Sequence, residues 1–179
     1  REKTEIIKKL MTSPVMNVDF TNASVNGKSA QVLVLASPSA DAALYIGREK
    51  KGHKGVKGTP LENYAGTIVH DHDTTFYKYG TGHQECTQHD IRYLTGSIQN
   101  EAELEWNKQM LELFRKMLHY RNSLSENEGL SPTIVSELEA EYDRILETAE
   151  KEYTDEPPND YYREGYNLFL RLRKYKENE

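Results

Sequence analysis

Two aspartates stand 52 positions apart, Asp19 within Val15 to Thr21 (VMNVDFT) and Asp71 within Thr67 to His72 (TIVHDH), each near the end of an apolar, β-branched run. Two carboxylates on neighbouring strands are the donor set of a hard divalent ion. Mg²⁺ and Mn²⁺ take oxygen ligands in near-octahedral geometry, keep several waters, and are usually held by one or two protein carboxylates while substrate phosphate fills other positions. An aspartate just past a strand is also an ordinary turn or capping residue. The pair therefore gains weight only from the elements that position it.

After Asp19 the segment Ser24 to Lys28 (SVNGK) carries Asn26-Gly27, a strong hairpin turn signal, and Ala30 to Ser37 (AQVLVLAS) reads as a buried strand. A third strand is expected at Ala42 to Gly47 (AALYIG). The basic, glycine-containing stretch Arg48 to Gly58 (REKKGHKGVKG) leads to a fourth strand, Tyr64 to His72, which carries Asp71. Three antiparallel strands, a crossover and a fourth strand ending in an acid make the order of a ribonuclease H-like sheet.

At these residues the chain resembles the transposases of the insertion sequence 66 family, a branch of the DDE transposases. The resemblance rests on the opening around Asp19 (VDFT, then VNGK), on the VHDH box with Asp71, and on Cys86 to Arg92 (CTQHDIR), which is similar to the family's Cys-x-x-His-x-x-Arg stretch; it runs in order along essentially the whole chain. It implies an α/β fold, a ribonuclease H-like mixed sheet with a C-terminal helical insertion. Asp19 and Asp71 would be catalytic metal ligands for Mg²⁺ (or Mn²⁺), and Cys86 and His89 would shape the site. DNA, as transposon ends and target, would be the partner, contacted through Arg48, Lys50, Lys51, Lys54, Lys57 and Arg92.

Two positions depart from the family pattern: Phe20 stands where Glu is usual, and Asp73 where an aromatic commonly follows the Asp-His pair. The family's third acid lies in an Asn-Asn-x-x-Glu-Arg motif, which does not occur in residues 1–179. The chain is therefore expected to be an incomplete catalytic domain, weak in metal binding and inactive alone. Three segments are expected: a leader at 1–14, a partial catalytic core at 15–100, and a helical insertion at 101–179.

The net charge of −6 argues at first against DNA. Residues 1–99 hold 12 Lys/Arg against 10 Asp/Glu, whereas 100–179 hold 11 against 19, so the acid is concentrated in the second half. Nucleic-acid binding needs local positive potential where phosphates lie, and the lysine-rich stretch 48–58 supplies it. Such a loop is also an ordinary solvated surface. No apolar signal core or run of eighteen apolar residues occurs, so a cytoplasmic protein without membrane contact is expected.

The second half reads as helical. From Glu101 to Asn122, Leu104, Leu111, Phe114 and Leu118 recur at helical spacing. Ser131-Pro132 places a capping residue before a first-turn proline, and Ile134, Leu138, Tyr142, Ile145, Ala149 and Tyr153 make one stripe. A third helix is expected from a cap at Asn159 or Asp160 to about Tyr175. These stripes are expected to pack as an antiparallel pair or bundle, with homo-oligomer contacts an open alternative.

Other readings of the residues stay open. His70, His72, His83, Cys86 and His89 lie within twenty residues, and nitrogen and sulfur donors suit Zn²⁺, although no recognised zinc spacing is present. The same two acids would also serve a ribonuclease H-like nuclease or resolvase. A non-catalytic transposase remnant, kept as a helical interaction module, is a further alternative.

Overall fold

In a computed structural model, which describes residues 2–125, 128–158 and 160–178, the chain forms two compact units that divide after Cys86. The first opens with helix α1 (Glu2–Thr12), whose Glu2 and Glu5 lie in the first turn and Lys9 in the last, the charge order that complements the helix dipole. Its Leu10 is fully buried. The segment expected to be a leader is thus part of the packed unit.

Strands β1 (Val15–Val25) and β2 (Lys28–Ser37) form an antiparallel hairpin, and β3 (Ala42–Arg48) adds to β2 antiparallel. The turn is Asn26-Gly27, with φ of 51° and 75°, the positive pair that a two-residue primed turn demands. A crossover containing helix α2 (His53–Val56) leads to β4 (Thr67–His70), which pairs parallel to β1, and β5 (Gly82–Glu85) pairs parallel to β4. The sheet order is β3-β2-β1-β4-β5. This mixed sheet is ribonuclease H-like. One face buries Met16, Val18, Leu33, Leu35, Leu44 and Ile68 together with Leu10, Val56, Leu61 and Phe76.

The second unit holds α3 (Thr87–Asn100), α4 (Trp106–Ser123), α5 (Pro132–Asp155) and α6 (Glu164–Lys174). Fully buried Trp106, Met110, Ala149 and Leu172 centre its core. Ser131 caps α5 by accepting a hydrogen bond from the Ile134 N–H at 3.3 Å, and Pro132 occupies its first turn. Leu104, Leu111, Leu138, Ile145 and Phe169 are buried as expected, while Leu118 is half-buried. The helix expected from Glu101 begins instead at Trp106, because the Glu105 and Trp106 N–H groups are capped by the Glu152 carboxylate at 2.9 and 3.1 Å. The last helix starts at Glu164 rather than after Asp160; the other expected cap, Asn159, lies outside the described residues.

Leu94 of α3 joins the helical core. The compact division consequently falls ahead of α3, not near residue 100. Buried Asp90 of α3 pairs with Arg171 of α6, whose guanidinium also lies 4.7 Å from the Tyr93 ring centre.

Candidate metal centre and nucleic-acid surface

The parallel ladder sets Val15 opposite Thr67, Met16 opposite Ile68, Asn17 opposite Val69 and Val18 opposite His70. The next residue on each strand is Asp19 and Asp71, so the 52-residue spacing in the sequence is the register of the β1–β4 pairing. Strand alternation turns Met16 and Val18 into the core and sends Asp19 to the other face. Ile68 and His70 are buried in the same way, which sends Asp71 after Asp19. The two carboxylates come together with oxygens within 4.8 Å, both half-buried.

That donor set fits a hard cation. Oxygens bound to one Mg²⁺ at about 2.1 Å stand about 3 Å apart when adjacent and about 4 Å when opposite, so a small side-chain rotation gives shared coordination. Asp71 also accepts the Asp73 N–H at 3.1 Å, and Asp73 in turn accepts the Thr75 N–H at 2.9 Å. The turn role weighed for such a residue is therefore present too. A carboxylate has about four acceptor sites, and one turn bond leaves the others for a metal. Asp73 earns its place as the second cap of this turn.

Phe20 faces opposite to Asp19 and stacks on Phe76 with ring centres 5.5 Å apart. A Cβ on Gly55 would stand 2.7 Å from the Phe20 ring and 2.4 Å from the Lys50 carbonyl oxygen, so this approach of α2 needs glycine. The departure from Glu at position 20 thus belongs to the core and does not touch the aspartate pair.

Behind Asp71, on the core face, lies a polar nest that the sequence did not reveal. Glu85 is 1% exposed and accepts hydrogen bonds from His72 Nδ1 at 2.5 Å and from the Tyr77 hydroxyl. His70 donates from Nδ1 to the Asp71 carbonyl, and its Nε2 meets His83 Nδ1 at 3.3 Å. Burial lowers the pKa of both His70 and His83, which favours the neutral tautomer this chain of bonds requires. No periodic signal marks Glu85, because β5 is only four residues long.

Among the described residues no three of His70, His72, His83, Cys86 and His89 bring ligand atoms close enough for a common ion. The zinc reading gains no support, since His70 and His83 are engaged with each other, His70 also with the Asp71 carbonyl, and His72 with Glu85. The Cys86 N–H donates to the His70 carbonyl at 2.7 Å, continuing the ladder in which His70 stands opposite Glu85. Cys86 is therefore level with Asp71 in the sheet. His89 lies in the first turn of α3 with its ring against Tyr93, and Arg92 of the same helix is exposed.

A comparison with protein-family models matches residues 3–171 to the transposase IS66 family. The chain belongs to that family. No curated protein and no solved structure matches it. For an IS66-family transposase the substrate is DNA. Lys50, Lys51, Lys54 and Lys57 are all exposed on or beside α2. Arg48 is committed differently: its guanidinium donates to the carbonyls of Lys54 at 3.2 Å and Lys57 at 2.8 Å, closing the loop that presents the lysines. Among the described residues no helix is long and apolar enough to cross a membrane.

Proposed function

We propose that Asp19 and Asp71 hold a divalent cation, Mg²⁺ or Mn²⁺, in the catalytic site of a DDE-type transposase that cleaves DNA strands and joins them to a target. The observation that carries this reading is the β1–β4 register, which brings two carboxylates from distant parts of the chain to one level on one face. The bound ion would neutralise phosphate charge and lower the pKa of a bound water or hydroxyl. Asp19 and Asp71 would orient that ion toward the scissile phosphate, and the Asp73 N–H would fix one Asp71 oxygen.

The remaining assignments follow the same reading. Lys50, Lys51, Lys54 and Lys57 would neutralise backbone phosphates directly, with Arg48 holding their loop. Arg92 presents an exposed guanidinium suited to a phosphate. Cys86, level with Asp71, would bound the site, and His89 is assigned to its surroundings by the family stretch. The two aspartates serve one ion; the third acid belongs to the motif absent from these residues.

Calorimetric titration of Mn²⁺ into the 179-residue chain tests the assignment. Millimolar binding is expected, lost in Asp19→Ala and in Asp71→Ala. Binding that survives both substitutions would place the ion elsewhere and sink the proposal.

A further inference from the structure

We propose that Glu85 is a positioning residue for the metal site: its buried carboxylate fixes the loop that aims Asp71, without touching the ion. The proposal rests on the reading of Asp19 and Asp71 as ligands of one divalent cation and adds to it the group that keeps one of them in place.

The two aspartates are not held alike. Asp19 stands inside an antiparallel ladder that runs past it in both directions, from Asn17 to Val25. Asp71 stands beyond the sheet, because the rungs of β4 to β1 and to β5 both end at His70. Its orientation therefore depends on the loop that follows. Within that loop the Asp73 N–H holds Asp71 Oδ1 at 3.1 Å. Asp73 in turn takes the Thr75 N–H on its carboxylate at 2.9 Å and the Phe76 N–H on its carbonyl at 3.0 Å.

Glu85 closes this loop from both sides of Asp73. One of its oxygens, Oε1, accepts the His72 Nδ1–H at 2.5 Å and also the Tyr77 hydroxyl. Fully buried Phe76 pins the same loop in the core. Tyr77 sets its ring edge-on to His70, with centres 4.7 Å apart, and His70 Nδ1 donates to the Asp71 carbonyl. Both chain neighbours of Asp71 thus lead back to the end of β5.

Burying a carboxylate is costly, and Glu85 is 1% exposed. What the charge supplies is bond strength, since hydrogen bonds to an ionised acceptor are about twice as strong as neutral ones. The need for it lies at the site: two carboxylates with oxygens within 4.8 Å repel when no ion joins them. A loose loop would let Asp71 turn away from Asp19. The bonds to Glu85 oppose that turn and keep the donor pair set for the cation.

The test follows Mn²⁺ binding through the electron paramagnetic resonance signal of the free ion. It uses the 179-residue chain and its Glu85→Leu, Glu85→Gln and Tyr77→Phe variants, at a temperature where circular dichroism shows each one folded. Glu85→Leu should weaken Mn²⁺ binding about ten-fold or more, the usual loss when a group that orients a metal ligand is removed. Glu85→Gln, whose amide oxygen can accept both bonds from the Oε1 position, should stay within about two-fold of wild type. Tyr77→Phe keeps the ring and loses one bond, and should fall between them at about five-fold. Variants that lose stability yet bind Mn²⁺ as the wild type does would show a purely structural role and overturn the inference. A loss in Glu85→Gln as large as that in Glu85→Leu overturns it too, because charge rather than positioning would then be at work. Should Glu85→Leu fail to fold, Tyr77→Phe against wild type decides on the same terms. A wild-type chain that binds no Mn²⁺, or whose binding survives Asp71→Ala, would sink the two-aspartate site itself, which separates the two failures.

Discussion

Asp19→Asn should make the metal-free protein more stable while abolishing its response to Mn²⁺. With oxygens within 4.8 Å, two carboxylate charges repel by about 1 kcal/mol even at the dielectric constant of water. Asparagine keeps the size and removes the charge, and it leaves the Asp73 N–H bond to Asp71 untouched. For a chain of this length about 1 kcal/mol raises Tm by about 2–4 °C. Mn²⁺ at ten times a millimolar Kd should stabilise the wild type by about 1.4 kcal/mol, enough to reverse the order. Differential scanning fluorimetry across a Mn²⁺ series, with Asp19→Asn beside wild type, therefore yields curves that cross. Parallel curves, or a variant that responds to Mn²⁺ as the wild type does, would refute the idea that these two carboxylates share an ion.

Phe20→Glu, which writes the family's usual residue, should cost about 2 kcal/mol in chemical denaturation by losing half-buried ring contact with Phe76, yet leave Mn²⁺ affinity unchanged because position 20 faces the core. Lys50→Glu with Lys54→Glu should weaken DNA binding and flatten the salt dependence by about two units of slope, whereas Glu139→Lys on α5 should not weaken it; filter binding at several salt concentrations separates the two. Glu101, in the second unit, is 5% exposed and accepts hydrogen bonds from Ser97 at 2.9 Å and Tyr153 at 3.2 Å, with burial as the main cause of a raised pKa. The folded chain thus keeps a proton there that the unfolded chain has lost, so this contribution to stability falls as pH rises from the ordinary glutamate range through the folded value. Urea titrations should show Glu101→Gln removing that fall and gaining stability at neutral pH; an unchanged profile would mean that the carboxyl is not desolvated.

What was legible in the sequence was whatever rests on local alternation. The hairpin at Asn26-Gly27, the strands on either side and the stripe of α5 announce themselves by turn chemistry and period. Asp19 and Asp71 could be paired because each follows an apolar run that fixes its phase. Helix α1 lies in the segment expected to be a leader although Ile6, Ile7, Leu10 and Met11 carry the period, and α3 is masked in the sequence by its polar first turns with His89, Asp90 and Arg92 although Ile91, Leu94 and Ile98 are spaced for a buried face. Glu85 and Glu101 were out of reach altogether. An isolated glutamate reads as surface until a hydroxyl is brought beside it, that of Tyr77 from eight residues before Glu85 and that of Tyr153 from 52 residues after Glu101, and only the folded chain does that. Arg48 likewise read as a free cation, because its commitment to two carbonyls depends on how the crossover turns.

The register between β1 and β4 has a consequence for how this site can change through insertion and deletion. The two acids are tied by a hydrogen-bond ladder, not by the length of the chain between them. Residues may be gained or lost in the crossover from Glu49 to Gly66 without moving Asp71 relative to Asp19, so long as the ladder re-forms. Removing one residue between Ile68 and Asp71 is different: it would rotate the acid through half a turn into the apolar layer. Distant relatives should then vary freely in the count between the two aspartates while keeping each acid one step beyond an inward-facing side chain, and a search keyed to that parity would find relatives that a search keyed to fixed spacing loses.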